Sequence, residues 1–293
     1  MKLKFYKYQG AGNDFLIADN RDASIELSAG QIASICDRRY GVGADGLMLL
    51  ENCEGYDFRM VYYNSDGSGG MMCGNGGRCI VAFAHDSGVP GRLPDQAVES
   101  DRQGWMVRYS FTAADGLHEA YIYEHSQKEK IIALGMKNVD EAFEYEALTG
   151  VSCPSAGYFL DTGTRHYVRF VEDVDKYDIV TEGRDIRYNA QELQPVGANV
   201  NFVEACEDYL KVRTYEKGVE DETFACGTGI VASALAAYTR GVRPKSTSAN
   251  GRIHYDIRAK RDHLMVDFLS SEQGVAQQIF LTGPAEKVCE IVL

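Results

Sequence analysis

The chain has 293 residues, which is enough for two domains of ordinary size. It carries 30 lysine and arginine residues against 43 aspartate and glutamate residues, so its formal net charge is −13. Because no block of basic residues interrupts this acidic balance, nucleic acid and anionic membrane surfaces are excluded as expected partners. No apolar run in the sequence reaches the ~20 residues that a membrane-spanning helix needs.

The cysteine pattern predicts reduced thiols and no metal site. The eight cysteines show neither a CxxC pair nor the cysteine and histidine spacing that is typical of zinc. Residues 1–7 alternate like a strand, which is not the pattern of a signal peptide. We therefore expect a cytoplasmic protein with free thiols. The cysteines are Cys36, Cys53, Cys73, Cys79, Cys153, Cys206, Cys226 and Cys289.

The first half of the chain predicts a strand-rich unit with one early helix. Ser28 is a suitable N-cap for a helix over residues 29–36. Alternation of apolar and polar residues, with glycine-rich turns between the runs, predicts the strands. These strands are expected over residues 2–8, 15–18, 47–51, 58–63, 105–111, 120–123 and 130–134.

Cys73 stands directly before a glycine-rich segment, residues 74–77, which leads into an apolar helix. It should therefore lie at a helix N-terminus, where backbone N–H groups and the helix dipole favour an anion. Such a position lowers the pKa of a thiol and makes the thiolate available at neutral pH. Gly74 and Gly76 let a ligand approach the backbone closely. These features predict a reactive thiol beside a binding place for a small carboxylate.

The same arrangement recurs in the second half of the chain. Cys226 precedes Gly-Thr-Gly and the apolar residues 230–237. A single cysteine is often just a small buried hydrophobic residue. Two copies of Cys-Gly-x-Gly, each ahead of an apolar helix, favour a functional role for both cysteines.

Other segments repeat in the same order and at similar spacing. Residues 12–15, 43–45 and 64–67 have counterparts at residues 163–166, 197–199 and 215–218. Matching order and spacing predict a duplicated unit. The two domains are expected over residues 1–128 and 129–274, with a strand over 275–293 returning to the first. Further strands are expected over residues 167–171, 200–204, 264–269 and 276–281.

The predicted fold class is therefore α/β (α+β), with two pseudo-symmetric domains. Each domain should be a mixed or antiparallel β-sheet wrapped around a central apolar helix, because a helix that is apolar nearly all round must be enclosed. The active site should lie in the cleft between the domains, with one cysteine from each. A pair of thiols suggests general acid–base catalysis, in which one thiolate removes a proton from carbon and the other thiol returns one to the opposite face.

These residues resemble the diaminopimelate epimerase family over the full length of the chain. The family inverts one α-carbon of diaminopimelate without pyridoxal phosphate or metal, on the way to lysine and peptidoglycan. The resemblance implies an isomerase that converts LL-2,6-diaminopimelate to the meso form, with no cofactor and as a homodimer. The motifs that carry it are residues 12–15 (GNDF), 43–45 (GAD), 64–67 (NSDG), 73–76 (CGNG), His166, Asn199, Glu216 with Gly218, and 222–229 (ETFACGTG).

The resemblance also implies the roles of individual residues. Cys73 and Cys226 would be the two acid–base groups, and His166 and Glu216 would tune the pKa values of the thiols. The residues implied to bind substrate are Asn13, Asn64, Gly74, Asn75, Thr164, Asn199, Glu216, Lys217, Gly227 and Thr228.

The sequence leaves structural explanations open for some of these residues. Asn13, Asn64 and Asn199 lie in glycine-rich turns, where asparagine is common for backbone reasons. A histidine before a strand, as at position 166, is more often structural than catalytic.

Three positions depart from the family pattern. Gly46 stands where the family commonly has Gln, Thr164 where it has Asn, and Lys217 where it has Arg. A lysine cannot make the planar bidentate bond that arginine makes to a carboxylate. These departures bear on recognition of the distal half of the substrate.

Three other functions remain open. A proline or hydroxyproline racemase of the same fold usually carries His at the position of Asn75. A redox protein could use the two thiols to form a regulatory disulfide. A binding domain without catalytic activity is the third alternative.

Overall fold

The computed structural model describes residues 3–70, 72–93, 104–126, 128–270 and 276–293. The chain divides into two compact units. Unit 1 comprises Met1–Gly135 together with Thr282–Leu293, and unit 2 comprises Met136–Leu281. No helix in the described part of the chain has the length and apolar character that crossing a membrane requires.

Eight strands form unit 1 in the part of the chain that the structure describes, and they are numbered in chain order. They are β1 (Lys4–Gly10), β2 (Asn13–Asp19), β3 (Gly46–Glu51), β4 (Phe58–Asn64), β5 (Val107–Ala113), β6 (Gly116–His125), β7 (Glu129–Gly135) and the C-terminal part of β17 (Ala276–Val292). Each strand from β1 to β6 pairs with the next along the chain. β17 then pairs with both β7 and β1, so the eight strands form a closed ring.

The described residues of unit 1 include two α-helices. α1 (Ala29–Cys36) begins at the N-cap Ser28, and a capping box joins Ser28 to Gln31, which confirms the predicted helix and its cap. α2 (Gly74–Asp86) contacts β1, β2, β3 and β7, and its residues 74–84 are all buried. A helix that is buried on every side along most of its length is stable only where other elements enclose it, so the ring of strands surrounds α2.

Unit 2 contains α3 (Ile179–Asn189), a 3-10 helix (Gln191–Leu193) and α4 (Gly227–Thr239). Its α4 contacts seven of the strands of this unit and is buried along most of its length. The strands of unit 2 are β8 (Ala142–Tyr145), β9 (Gly157–Asp161), β10 (Arg165–Phe170), β11 (Asn199–Ala205), β12 (Leu210–Glu216), β13 (Asp221–Thr223), β14 (Ser246–Thr247), β15 (Arg252–Arg258), β16 (His263–Ser270) and the N-terminal part of β17.

The two units repeat one order of strand pairing. In unit 1, β1 to β5 pair antiparallel, parallel, antiparallel and parallel in turn. In unit 2, the series β9, β10, β11, β12 and β15 pairs in the same order. α1 and α3 connect the first parallel pair of each unit, and α2 and α4 connect the second. The predicted α+β class with a helix wrapped by strands is confirmed.

Two local expectations differ from the structure. The strand expected over residues 105–111 is β5, which begins at Val107 and ends at Ala113. α3 was not among the predicted helices, and it carries Gly183 in its middle, where glycine weakens a helix. That glycine lies against β12, where an added Cβ would come 2.4 Å from the Cβ of Tyr215. The close approach of α3 to β12 therefore requires glycine at position 183.

Candidate active site

Cys73 is the N-cap residue of α2. Its backbone is extended (φ −111°, ψ 127°), and its carbonyl accepts a hydrogen bond of 2.7 Å from the N–H of Gly77. The cysteine is half-buried, and Gly74 is the first residue of the helix. The expected position at a helix N-terminus is confirmed. An anion at this cysteine is favoured by the N–H groups and the dipole of α2.

A hydrogen-bonded chain of amides follows Cys73 in unit 1. The amide nitrogen of Asn75 donates to Oδ1 of Asn13 over 2.7 Å, and the amide nitrogen of Asn13 donates to Asp45 over 2.9 Å. Arg78, whose side chain is fully buried, donates to Oδ1 of Asn75 over 2.9 Å. Two of the implied substrate ligands, Asn13 and Asn75, are thus held in fixed orientations by their neighbours.

Asn64 ends β4 and organises the turn that follows. Its amide nitrogen donates to Oγ of Ser68 over 3.0 Å, and its backbone N–H donates to the Ser68 carbonyl over 2.9 Å. The turn role that the sequence left open for Asn64 is therefore present in the structure.

Cys226 is the N-cap residue of α4 and is buried. Its backbone is extended (φ −102°, ψ 111°), and its carbonyl accepts a hydrogen bond of 2.9 Å from the N–H of Ile230. Its sulfur lies 3.4 Å from Oγ1 of Thr228. Gly227 is the first residue of the helix. The second predicted cysteine at a helix N-terminus is thereby confirmed as local structure.

Hydrogen bonds to Thr164 and Thr228 connect His166 with Cys226. Its Nε2 is 2.9 Å from Oγ1 of Thr164 and 2.9 Å from Oγ1 of Thr228, and the two hydroxyls are 3.0 Å apart. The imidazole is fully buried, and burial lowers its pKa from 6.5 to about 3. His166 is therefore neutral at physiological pH and supplies no positive charge to a neighbouring thiolate.

Two further residues of this network were not among the candidates. Asn201 lies 3.0 Å from Nδ1 of His166 through its amide nitrogen, and Thr214 donates to Oδ1 of Asn201 over 2.9 Å. Both are buried. A signal existed for Asn201, because it is a polar residue inside an apolar strand and shares one face of β11 with Asn199.

The remaining candidates lie at the ends of β11 and β12. The amide of Asn199 donates to the carbonyl of Arg165 over 3.2 Å and accepts from the N–H of Lys217 over 2.9 Å. Glu216 accepts a hydrogen bond of 2.8 Å from the hydroxyl of Thr223. The Lys217 side chain is exposed. Asn199 therefore fixes the turn that carries Glu216 and Lys217.

One acidic group lies elsewhere in unit 2. Carboxylate oxygens of Asp173, Asp175 and Glu204 lie within 4.8 Å of one another. Lys176 pairs with Asp173 over 2.6 Å, and Lys211 pairs with Asp175 over 2.8 Å. Since lysines neutralise this group, its chemistry is that of a surface ion-pair network.

The presence of glycine at position 46 is explained by Tyr62 on the adjacent strand β4. A Cβ at this position would lie 2.4 Å from Cε2 of Tyr62 and 2.6 Å from the carbonyl oxygen of Tyr63. The Tyr62 ring is also enclosed on the side of Gly70, where a Cβ would come within 2.1 Å of it. The ring thus fills the space in which a side chain at position 46 would begin.

Replacing Gly46 by Gln, the residue common in the resembling family, should destabilise unit 1. Overpacking of a well-packed region typically costs about 1–3 kcal/mol in the free energy of unfolding. The measurement is equilibrium urea unfolding. Gly30→Ala is the matched control, because nothing lies within 4 Å of a Cβ there and alanine favours the α1 helix. Equal stability of Gly46→Gln and the wild type would contradict the steric explanation.

Comparison with known proteins identifies the family of this chain. The family model for diaminopimelate epimerase matches residues 5–98 and 158–268. A diaminopimelate epimerase from Flavobacterium psychrophilum is 41% identical, over 99% of this chain and 100% of that protein. One from Chlorobaculum tepidum is 40% identical, over 95% of this chain and 96% of that protein. The chain belongs to the diaminopimelate epimerase family. The family resemblance that the sequence motifs indicated is thereby confirmed.

Solved structures of low sequence identity share the fold. A phenazine biosynthesis protein of the PhzF family from Bacillus anthracis has a TM-score of 0.71 at 14% identity, covering 100% of this chain and 99% of that one. A hydroxyproline epimerase from Agrobacterium vitis has a TM-score of 0.66 at 13% identity, covering 100% and 92%. At these identities the likeness establishes the fold and leaves the substrate to other evidence.

Proposed function

We propose that this protein is an isomerase that converts LL-2,6-diaminopimelate to meso-diaminopimelate, without pyridoxal phosphate or metal. Membership of the diaminopimelate epimerase family supports the reaction. The single observation that carries the mechanism is the paired placement of Cys73 and Cys226, each as the N-cap of a buried, glycine-led helix. Such a position stabilises a thiolate and a bound carboxylate through the same backbone N–H groups.

The proposed chemistry needs one thiolate and one thiol. The thiolate removes the proton from the α-carbon, and the electron pair of the broken C–H bond passes into the α-carboxylate. The other thiol then donates its proton to the opposite face of the same carbon. The helix N–H groups at Gly74 and Gly227 are suited to stabilise the charge that develops on the carboxylate. The reaction exchanges one proton for another and leaves each sulfur in the opposite protonation state.

Substrate binding is assigned to the residues that the family resemblance implied. The amide chain that holds Asn13 and Asn75 supports this assignment, because preorganised polar groups lose little entropy on binding. Asn199, through its bond to the turn at Lys217, supports a role for that turn at the distal amino and carboxyl groups. The shared approach of both sulfurs to one carbon, the homodimer and the cytoplasmic location stay predictions.

The closest alternative is a racemase of proline or hydroxyproline. That family usually carries histidine where Asn75 stands, and here the amide of Asn75 is engaged with Asn13 and Arg78. Two relatives that share 41% and 40% identity with this chain are named diaminopimelate epimerases. Both observations favour diaminopimelate as the substrate.

The decisive experiment is incubation of the purified enzyme with LL-diaminopimelate in D₂O. The meso product should carry deuterium at the inverted carbon, because its new proton comes from the opposite, solvent-exchanged thiol. Remaining LL substrate should gain deuterium more slowly at early times. L-proline and trans-4-hydroxy-L-proline are the control substrates. Inversion of either control without inversion of diaminopimelate would overturn the proposed substrate.

A further inference from the structure

We propose that Asn201 and Thr214 are positioning residues for Cys226. They fix the tautomer of His166, and through it they turn the hydroxyl proton of Thr228 toward the Cys226 sulfur. The inference rests on the proposed acid–base role of Cys226. It concerns two buried side chains that belong to none of the implied binding or catalytic positions.

The first step is the orientation of the Asn201 amide. Thr214 lies 2.9 Å from Oδ1 of Asn201 and donates its hydroxyl proton there. The amide nitrogen then faces Nδ1 of His166 at 3.0 Å and the carbonyl oxygen of Tyr167 at 3.4 Å. A reversed amide would place two acceptor oxygens, those of Asn201 and Tyr167, against each other. Only one orientation therefore satisfies all the groups.

The second step is the tautomer of His166. Since Asn201 donates to Nδ1, that nitrogen must be the acceptor of a neutral imidazole, and the proton resides on Nε2. Complete burial keeps the ring neutral. The Nε2–H group therefore points at the hydroxyls of Thr164 and Thr228, each 2.9 Å away.

The third step is the direction of the Thr228 hydroxyl. A hydroxyl oxygen has two acceptor sites and one proton. In the proposed arrangement the Nε2–H of His166 and the hydroxyl of Thr164, 3.0 Å from Thr228, both donate to Thr228 and fill its acceptor sites. The remaining proton of Thr228 is directed at the sulfur of Cys226, 3.4 Å away. A thiolate can only accept hydrogen bonds, so this arrangement leaves every member of the chain satisfied.

The consequence concerns how His166 acts on Cys226. A histidine near a catalytic thiol is expected to act by its positive charge, but this imidazole is neutral. Its effect is the direction of a hydrogen bond, which stabilises the thiolate form of Cys226 through Thr228. Asn201 and Thr214 determine that direction through their hydrogen bonds on the far side of His166, although neither contacts the sulfur.

The first test is nitrogen NMR of the full-length protein with ¹⁵N-labelled histidine. The His166 signals are those missing from a His166→Gln variant. In the wild type they should show a protonated Nε2 and an unprotonated Nδ1, and Asn201→Leu should lose this pure tautomer. A proton on Nδ1 in the wild type would overturn the proposal.

The second test measures alkylation of Cys226 by iodoacetamide at neutral pH, by mass spectrometry of the peptides. Cys73 in the same sample provides the internal reference. Thr228→Val should lower the rate ratio of Cys226 to Cys73 about tenfold, as expected for losing one hydrogen bond to a charged group. Thr228→Ser should restore it, and Asn201→Leu should lower it in the same direction.

Ser233→Ala is the control variant, because Ser233 is a buried hydroxyl of the same helix that donates to the Gly229 carbonyl outside the chain of bonds. Its ratio should equal that of the wild type. Equal ratios in Thr228→Val and Thr228→Ser would overturn the proposal, even if Asn201→Leu failed to fold. Alkylation needs no turnover. A wild type that does not invert diaminopimelate would therefore refute the proposed function and leave this test intact.

Discussion

Replacement of Cys226 by alanine should lower kcat for the inversion of diaminopimelate by about 10²–10⁴-fold, the usual contribution of one general acid–base group. Cys73→Ala should have the same effect. Each direction of the reaction uses one sulfur as base and the other as acid, so neither cysteine alone suffices. The measurement is the rate of interconversion of the LL and meso isomers, started from each side.

Cys79→Ala is the matched control for these variants. Cys79 lies on α2, the same helix that Cys73 caps, but its side chain is fully buried in the core of unit 1. Burial raises the pKa of its thiol well above the ordinary range, so it is not available as a base. Its replacement should leave kcat close to the wild-type value. A Cys226→Ala enzyme with near wild-type kcat would exclude the two-thiol mechanism and make Cys226 a structural cysteine.

Replacement of His166 by glutamine should flatten the pH dependence of folding stability on the acid side. The folded-state pKa of His166 is depressed by burial to about 3, against 6.5 for an exposed histidine. Between these values the unfolded chain binds a proton that the folded chain does not. The free energy of unfolding therefore falls as pH drops below 6.5, by about 1.4 kcal/mol for each pH unit. Above pH 6.5 this contribution is fully present.

Urea unfolding at pH 7.5 and pH 5.0 measures this effect. The wild type should lose about 2 kcal/mol more than His166→Gln between the two pH values. His263→Gln is the control, because His263 is exposed at the start of β16. It should follow the wild type. Parallel losses in the wild type and in His166→Gln would show that His166 is not buried in its neutral form.

Some features of this protein were predictable because they depend on neighbours along the chain. Ser28 and Gln31 form a capping box within one turn, and the helix that follows was predicted with its true bounds. The two Cys-Gly-x-Gly segments likewise begin helices at Cys73 and Cys226, as expected. The apolar character of both helices also predicted that strands would enclose them.

Other features required contacts between distant parts of the chain. α3 was not among the predicted helices. Glycine is unfavourable inside a helix, but Gly183 lies so close to Tyr215 of β12 that an added Cβ would clash there. Gly46 read as a missing ligand contact, whereas the Tyr62 ring occupies its space. In both cases a local rule was overruled by packing between elements.

The sequence by itself determined the family, the duplicated order of elements and the two cysteines at helix N-termini, because periodicity and capping act over a few residues. The sequence also predicted that a C-terminal strand returns to the first domain, but only the tertiary structure decided that β17 pairs with both β1 and β7 and so closes the ring of unit 1. It alone decided the protonation of His166 and its bonding to Asn201, since a pKa depends on burial and on hydrogen-bond partners that meet only when β10, β11 and α4 pack together.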